Sequence, residues 1–344
     1  MPRTYYQLVR RDEPALLSIV IPIYNEQDAL PILRDRLTRF MDSLDCGVEL
    51  IAVNDGSSDY SIDLLADWAA HDHRIKVLSL ARNFGHQAAA TAGLDQAQGD
   101  AVVLMDADLQ DPPDIILKMM AEYRNGYDVV YGQRVSRQGE TAFKRATAWA
   151  FYRVMRKLVY PDLPSDAGDF RLISRRCLDA LNSMRETHRF LRGMVAWIGF
   201  PQTAVRYERH ARVAGSTKYP LSKMLRLAWT AAVSFSPVPL RLSFLLGVII
   251  FLIGFTQGIH AIIDKIFGFY TVPGWTSLMV VLCLIGGAIL VSIGVLGEYV
   301  GRIFEEIKSR PLYIVAQTIN LAEPSRAFEP VHDRELVRMS RSID

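Results

Sequence analysis

Short apolar runs alternate with amphipathic stretches over the first 210 residues of the chain. The runs predict β-strands at residues 17–24, 49–54, 76–80, 101–105 and 129–132. Between them, apolar residues recur at the spacing of a helix face, for example over 29–44 and 61–70. This repeated strand-then-helix order predicts an α/β domain, with a doubly wound and mostly parallel sheet covered by helices on both faces.

Two later stretches have the pattern of membrane-spanning helices. Residues 242–263 and 275–296 are each 22 residues long and contain no Asp, Glu, Lys or Arg. At about 1.5 Å per residue each helix would reach ~33 Å, which is enough to cross the hydrocarbon core. The alternative is a pair of buried core helices. Basic residues lie before the first stretch and after the second, so we expect both ends of the pair in the cytoplasm.

The flanking segments complete the predicted organisation. Residues 219–235 have the composition of a helix lying in the membrane interface, with a helix packed on the α/β domain as the alternative. The charged segment after about residue 324 is expected to be a mobile end. We therefore predict an α/β domain at 1–210, a juxtamembrane segment at 211–240, two transmembrane helices at 241–297 with a short non-cytoplasmic loop, and a cytoplasmic tail at 298–344.

Composition excludes several classes of protein. The chain has 39 Lys plus Arg against 37 Asp plus Glu, a formal net charge of +2, and no long basic run, which argues against a nucleic-acid partner. Its 50% hydrophobic content argues against disorder. The three cysteines are far apart and form no Cys-x-x-Cys spacing, so neither a disulfide framework nor a thiolate zinc site is expected. The first residues lack the apolar core of a secretory signal.

Polar clusters follow three of the predicted strands. Asn25 and Glu26 follow the first strand, an Asn-Asp-Gly-Ser-Ser-Asp run at 54–59 follows the second, and Asp106 and Asp108 follow the fourth. Ligands of such sheets bind at the carboxyl ends of the strands. The run at 54–59 is also typical of a turn with a helix N-cap, and Asp-x-Asp occurs on many solvated loops.

The two aspartates predict a hard divalent cation. Residues i and i+2 at a strand end point to the same side, so two like charges would lie close together. Oxygen ligands without His or Cys favour Mg²⁺ or Mn²⁺. The chain has no Walker loop and no Gly-x-Gly-x-x-Gly after its first strand. This combination points to a nucleotide-sugar transferase, in which the metal would neutralise the diphosphate leaving group.

Six stretches, in order, resemble the family-2 polyisoprenyl-phosphate glycosyltransferases, which include dolichol-phosphate mannose synthases and bactoprenol glucosyltransferases. They are IPIYNEQDAL, VNDGSSD, ARNFGHQAA, DADLQDPP, GDFRLISRR and GSTKYPLSK, and two apolar spans and GEYVGRIFEEIKSRPLYIV follow them. The resemblance covers residues 17–318, and the two-span end is most similar to the bactoprenol branch. It implies a GT-A fold with catalysis on the cytoplasmic side of the inner membrane.

The resemblance also implies the roles of individual residues. The donor nucleotide would be held by Pro22, Tyr24, Asn25, Glu26, Val53 and Asp55, with Ala107 also at the donor site. The metal would be held by Asp106, Asp108 and Gln110. Phosphates would be bound by Arg134, Arg212 and Lys218, each of which has a solvated surface charge as its alternative.

Asp169 is the catalytic candidate that the resemblance implies. A phosphate monoester with a second pKa near 6 is mostly dianionic at neutral pH, so Asp169 is expected to position a substrate more than to remove a proton. Its alternative is a structural partner for Arg171 or Arg175. Asn54 departs from the Asp of many members and Thr217 from the usual Ser. His71 and His73 are interpreted as solvated, and the other histidines form no cluster in the sequence.

The implied reaction is an inverting transfer of a hexose from a UDP-sugar, with glucose favoured, to undecaprenyl phosphate. Other donors remain open: GDP-mannose, UDP-N-acetylglucosamine or a UDP-linked modified arabinose. A processive polysaccharide synthase is disfavoured, because the chain has neither several more spans nor a Gln-x-x-Arg-Trp motif. A non-catalytic membrane scaffold with a regulatory nucleotide site is the other alternative. Four glycines at 286–297 would allow close packing of spans within one chain or in a homo-oligomer.

Overall fold

The computed structural model describes residues 8–134, 167–208, 238–267 and 274–321. The predicted interfacial helix at 219–235, the phosphate-binding candidates Arg212 and Lys218, and the segment after 324 lie outside the described residues. Arg134 ends a described strand, but its side chain also lies outside the description.

Eight strands of the described residues form one mixed sheet. They are β1 (Leu16–Ile23), β2 (Gly47–Asn54), β3 (Ile75–Leu80), β4 (Ala101–Leu104), β5 (Val129–Arg134), β6 (Ala167–Ser174), β7 (Gln202–Tyr207) and β8 (Val315–Ile319). Their order is β7-β5-β6-β4-β1-β2-β3-β8. The centre, β4-β1-β2-β3, is parallel as predicted, and β5 is parallel to β7. β6 is antiparallel to both β4 and β5, and β8 is antiparallel to β3.

In the part of the chain that the structure describes, six helices cover both faces of this sheet, which confirms the doubly wound arrangement. They are α1 (Leu30–Asp42), α2 (Ser61–His71), α3 (His86–Gln96), α4 (Ile115–Arg124), α5 (Arg175–Ser183) and α6 (Leu191–Ile198). One apolar core lies under α1, α2 and α4, and a second lies under α3, α5 and α6. In β1, Ile19 and Ile21 point into the first core and Val20 into the second. Central strands are therefore apolar on both faces, which explains their near-continuous hydrophobic runs.

Two long helices occupy the predicted membrane region. They are α7 (Val238–Ile266) and α8 (Trp275–Ile307), and they contact each other. Over the described residues, one stretch, Leu284–Ile307, is long and apolar enough to cross a membrane, and α7 contains the shorter apolar stretch Leu240–Thr256. Length and composition therefore allow one membrane-crossing helix among the described residues, and the prediction of two spans stays a prediction.

The chain returns to the sheet after α8. β8 pairs with the outer edge of β3, although the sequence pattern predicted a separate tail from residue 298. Asn320 then donates from its side-chain amide to the carbonyl oxygens of Ala69 and Ile75, at 2.8 and 2.9 Å. The segments on both sides of the α7–α8 pair, β7 before it and β8 after it, therefore belong to one sheet.

Candidate active site

The candidate site lies at the edge of the sheet where β1, β2 and β4 have their carboxyl ends. β6 is antiparallel to β4, and Arg171 is the register partner of Leu104. The beginning of β6 therefore lies beside the end of β4, which brings Asp169 to the same edge as Asp106. The sequence pattern predicted no strand at 167–174, so this juxtaposition was implied by the family resemblance alone.

Asp169 is buried, with its side chain 9% exposed, and it is held by two cationic side chains. Arg192 of α6 donates from Nε to Oδ1 at 2.7 Å and from Nη2 to Oδ2 at 3.0 Å. His86 places Nε2 3.4 Å from Oδ2. Burial by itself would raise the pKa of Asp169, but the charge and hydrogen bonds of Arg192 and His86 outweigh it and hold that pKa well below its ordinary value. Asp169 is therefore ionised.

Arg171 and Arg175, which the sequence offered as alternative structural partners of Asp169, both donate to backbone carbonyl oxygens. Arg171 is buried and donates to the backbone carbonyl oxygens of Gly168 and Asp169, at 3.0 and 3.3 Å. Arg175 donates to the carbonyl oxygens of Ala97 and Gly99. The carboxylate itself pairs with Arg192, which is 23 residues away and which no sequence spacing pointed to.

His86 is a second site residue that sequence reasoning missed. Its Nε2 lies 3.7 Å from Asp106 Oδ1 as well as 3.4 Å from Asp169 Oδ2. Burial would lower the pKa of His86, but the hydrogen bond to Asp169 and the charges of Asp106 and Asp169 raise it to about 9. The available signal was its place in ARNFGHQAA, directly after β3 at the start of α3. Its partners, Asp106 and Asp169, are remote in sequence, so no local cluster marked His86 as a site residue.

The Asp-x-Asp segment lies on a turn rather than on a strand. β4 ends at Leu104, and Leu109 has a left-handed backbone with φ of 54°. The backbone N–H of Gln110 donates to Asp108 Oδ1 at 3.2 Å. The alternation of a strand therefore does not orient Asp106 and Asp108. A left-handed, buried leucine is unusual, and such strain concentrates at functional sites.

The charges around Asp106 fit a cation by their chemistry. Burial raises the pKa of Asp106, and the negative charges of Asp169, Asp111 and Asp108 raise it further against the opposing effect of His86. Gln110 Oε1 is buried without a hydrogen-bond partner in the described part of the chain, and it is an oxygen donor. In those same residues, however, no three His, Cys, Asp or Glu side chains are arranged as a metal-binding group.

Hydrogen bonds join the loops that follow β1 and β2. Asn25 has φ of 53°; its N–H donates to Ser57 Oγ at 3.0 Å, and its Oδ1 accepts from the N–H of Ser58 at 2.8 Å. The N–H of Glu26 donates to Ser61 Oγ at 3.0 Å. Tyr24 is 42% exposed at the same edge. These contacts make the two loops one unit around the predicted donor site.

Asp55 joins that unit to the loop after β3. Its carboxylate is buried and accepts from the N–H groups of Phe84 at 2.7 Å and Gly85 at 3.0 Å. Burial raises the pKa of Asp55 in spite of these hydrogen bonds. The other donor-site candidates, Pro22, Val53 and Ala107, are buried, and Pro22 and Val53 are register partners in β1 and β2.

Asn54, which departs from the family's usual Asp, supports the same loop. Its amide nitrogen donates to Ser79 Oγ at 2.9 Å, and its Oδ1 accepts from the N–H of Ser57 at 3.1 Å. An Asp side chain lacks the donor that reaches Ser79. Asn54 is therefore a buried side chain that holds the loop after β2 through these two hydrogen bonds.

Comparisons with known proteins agree with this architecture. Residues 18–181 match the model of glycosyl transferase family 2, and residues 238–303 match that of the GtrB C-terminal hairpin. The uncharacterized glycosyltransferase YkcC of Bacillus subtilis is 45% identical over 92% of this chain and 97% of its own length. A prophage-derived bactoprenol glucosyl transferase of Shigella flexneri is 37% identical over 88% of this chain and 98% of its own.

A solved structure gives a weaker likeness. Glucosyl-3-phosphoglycerate synthase from Mycobacterium tuberculosis, crystallised with Mn²⁺, UDP and phosphoglyceric acid, has a TM-score of 0.48 and 17% identity over 63% of this chain and 76% of that one. This likeness is too distant to carry its ligands over. The two family models and the full-length relatives, together with the mixed sheet, show that the chain belongs to the family-2 polyisoprenyl-phosphate glycosyltransferases.

Proposed function

We propose that this protein transfers glucose from UDP-glucose to undecaprenyl phosphate with inversion at the anomeric carbon. An oxygen of the lipid phosphate forms a bond to that carbon while the bond to the β-phosphate of UDP breaks, and UDP leaves. The observation that carries the proposal is the cluster of Asp169, Asp106, His86 and Arg192 at the carboxyl edge of the sheet. The relatives named bactoprenol glucosyl transferases support the donor and acceptor classes.

Asp169 acts as a positioning carboxylate in this proposal. A carboxylate whose pKa lies well below its ordinary range is a weak base, so Asp169 is poorly suited to remove a proton from the acceptor. The acceptor phosphate is mostly dianionic at neutral pH and does not need a strong base. Ionised Asp169 would instead accept a hydrogen bond from a sugar hydroxyl, and Arg192 and His86 would limit its repulsion of the incoming phosphate.

Asp106, Asp108 and Gln110 would hold a divalent cation. Such an ion would supply neutralisation of the charge that develops on the diphosphate leaving group. The oxygen-only donors and the unpartnered Gln110 Oε1 are the observations in favour. Donor nucleotide contacts would come from the joined loops that carry Tyr24, Asn25 and Asp55.

The lipid acceptor requires the site to lie near a membrane. β7 and β8 flank the α7–α8 pair in sequence and share one sheet, so the pair leaves the domain and returns to it. A hairpin of two spans satisfies this connection, whereas a single crossing would leave β8 on the wrong side. We infer two spans, with the catalytic domain and both termini in the cytoplasm, and with Arg212 and Lys218 on the segment that approaches the lipid phosphate.

The decisive experiment is a transfer assay with the purified full-length protein in detergent. It contains undecaprenyl phosphate, Mg²⁺ or Mn²⁺, and a panel of radiolabelled UDP- and GDP-sugars, and it scores label in the lipid phase. We expect label from UDP-glucose that disappears with EDTA. Label from another donor would replace glucose in the proposal, and absence of label from every donor in a preparation that binds UDP would contradict it.

Single substitutions separate the metal site from the acceptor site. Asp106→Ala and Asp108→Ala should each lower the rate of transfer at least ~100-fold, because the cation is lost. Lys218→Ala should mainly raise the KM for undecaprenyl phosphate. Metal-dependent turnover at the normal rate by Asp108→Ala would contradict the metal assignment, and an unchanged lipid KM in Lys218→Ala would contradict the acceptor assignment.

A further inference from the structure

Residues 185–192, which we call the bridging segment, run from the end of α5 into the first turn of α6 and contact four parts of the protein. The segment ends at Arg192, which holds Asp169. The other residues of the segment that make the contacts described below lie within seven positions of Arg192 along the chain. Its path links the end of the hairpin to the active site.

The middle of the bridging segment contacts the last turns of α8. The N–H of Thr187 donates to Glu306 Oε2 at 3.0 Å, and His188 Nε2 lies 2.6 Å from Glu305 Oε2. α8 has 33 residues and is therefore about 50 Å long, whereas the hydrocarbon core is about 30 Å thick. In the proposed two-span arrangement residues 275–296 occupy the hydrocarbon core, so the charged last turns of α8 extend beyond the lipid. Glu305 and Glu306 in these turns contact the catalytic domain.

The C-terminal part of the segment contacts the site. The N–H of Leu191 donates to Gln87 Oε1 at 3.0 Å, and Gln87 follows His86 in the first turn of α3. The next residue, Arg192, makes its two hydrogen bonds to Asp169. The two cationic partners of Asp169 are therefore joined to each other through neighbouring residues.

The N-terminal part of the segment is anchored as well. Arg185 Nη1 donates to both carboxylate oxygens of Asp95, at 2.8 and 3.0 Å. The hydroxyl of Tyr313, on the chain that leads to β8, donates to the same carboxylate at 2.7 Å. Arg189 is buried and donates to the carbonyl oxygens of Leu181 and Met184 at the end of α5. Because both ends of the bridging segment are anchored, a displacement of its middle is transmitted to the ends.

We propose that Arg192 is a positioning residue for Asp169, and that the bridging segment makes this position depend on the docking of Glu305 and Glu306 at the end of α8. This inference rests on the proposed function and deepens it. The acceptor phosphate lies at the membrane surface. If α8 sets the distance of the catalytic domain from that surface and also orients Asp169, the carboxylate is correctly placed when the domain is at the level of the acceptor. A misplacement of about 1 Å costs about 100-fold in rate.

The first test compares Glu306→Ala with Glu306→Gln. The glutamine keeps an acceptor oxygen for the N–H of Thr187, whereas the alanine does not. We expect Glu306→Ala to lower kcat about tenfold with little change in the KM for the UDP-sugar, and Glu306→Gln to retain most of the activity. Equal kcat values for Glu306→Ala and the wild type would overturn the proposal.

The second test is a double-mutant cycle between Glu306 and Arg192. Arg192→Ala alone should lower kcat about 100-fold, and Arg192→Lys should recover part of it, because lysine restores the charge but not the two-pronged geometry. If the contact at Glu306 acts through Arg192, adding Glu306→Ala to Arg192→Ala causes no further loss. If the loss of kcat in the double variant equals the product of the two single losses, the two residues act independently, which contradicts the proposal.

A third measurement does not need activity. Amide hydrogen exchange of the full-length protein in detergent should be faster at 185–192 and at the beginning of β6 in Glu306→Ala than in Glu306→Gln, with β1 and β2 unchanged as a folding control. If the wild type transfers no sugar, the proposed function fails, and exchange still decides the coupling. Unchanged exchange at both segments would overturn the coupling even in an active enzyme.

Discussion

Gly56 occupies the point where two loops of the candidate site cross. Its φ is +64°, and a Cβ there would lie 2.5 Å from the carbonyl carbon of Arg82 and 2.6 Å from the nitrogen of Asn83. Both groups are backbone and have little freedom to move. The residue therefore has two separate reasons to be glycine, a left-handed backbone and a close approach.

Gly56→Ala should destabilise the protein and weaken UDP binding. We expect a loss of about 2–4 kcal/mol in the free energy of unfolding, because the clash adds to the left-handed penalty. The control is Gly199→Ala, where φ is +80° but the nearest atom lies 3.8 Å away; about 1 kcal/mol is expected there. Unfolding in detergent and UDP titration measure both effects, and equal losses would contradict the steric argument.

Asp128 is a buried carboxylate that joins three parts of the domain. It accepts from Arg11 at 2.7 Å, from Ser174 Oγ at 2.7 Å and from Arg176 Nε at 2.6 Å. Burial would raise the pKa of Asp128, but these hydrogen bonds outweigh it and lower the pKa. Its contribution to stability is therefore present above the unfolded-state pKa of about 3.9 and is lost as the pH falls through the lower folded-state pKa.

Asp128→Asn should cost about 2–3 kcal/mol at pH 7, somewhat below a fully buried pair because Arg176 is 58% exposed. The difference from the wild type should begin to shrink as the pH falls below about 3.9, because the unfolded wild-type chain then takes up a proton at Asp128, and it should keep shrinking until the pH passes the lower folded-state pKa. Thermal unfolding at pH 7 and pH 3.5 measures this. Asp35→Asn, in an exposed pair with Arg39, is the control and should change little. A constant difference at both pH values would contradict the role of ionisation.

At the scale of elements, β8 protects the edge of the sheet. It pairs with β3, and Tyr313 and Val315 pack against the second core. Without β8, the N–H and C=O groups of β3 would face solvent as an open edge. The strand also brings Tyr313 to Asp95, so it fastens the end of the hairpin to α3.

A chain that ends at residue 310 should therefore unfold at a lower temperature, by about 5 °C or more, and aggregate more readily. A chain that ends at residue 321 keeps β8 and Asn320 and is the matched control. Thermal unfolding and size-exclusion chromatography in detergent compare the two. The same unfolding temperature for both truncations would mean that β8 adds nothing to stability.

At the scale of the whole molecule, the shared sheet constrains how the proposed two-span hairpin can cross a membrane. In that arrangement the end of α7 and the connection to α8, residues 264–274, would lie on the far side of the membrane. Ser309, between α8 and β8, would lie in the cytoplasm. Cysteine labelling can read this out, because burial raises the pKa of Cys177 to about 12 and makes that native thiol unreactive.

In a Cys46→Ala, Cys283→Ala background, Asp264→Cys should react with a membrane-impermeant maleimide in intact cells. Ser309→Cys should react only after the membrane is permeabilised. Labelling of Ser309→Cys in intact cells would contradict the two-span topology.

The sequence by itself determined the parts of this protein that depend on local pattern. Strands β1 to β5 and the two long helices were predicted because buried strands and long apolar helices carry their signal within a single window. The Asp106–Asp108 pair was found in the same way, since both residues follow one strand. The ordered motifs then identified the family, which the comparisons confirmed.

Only the tertiary structure decided the features that join remote segments. The pairing of β6 with β4 places Asp169 beside Asp106, and the folding of α3 and α6 brings His86 and Arg192 to it. β8 joins the sheet although about 235 residues separate it from β3. These contacts form because an apolar face is stabilised by burial against another element, and because a buried charge needs an opposite charge or a hydrogen-bond partner to offset its lost hydration. The partner can come from any part of the chain. No window of sequence contains that partner.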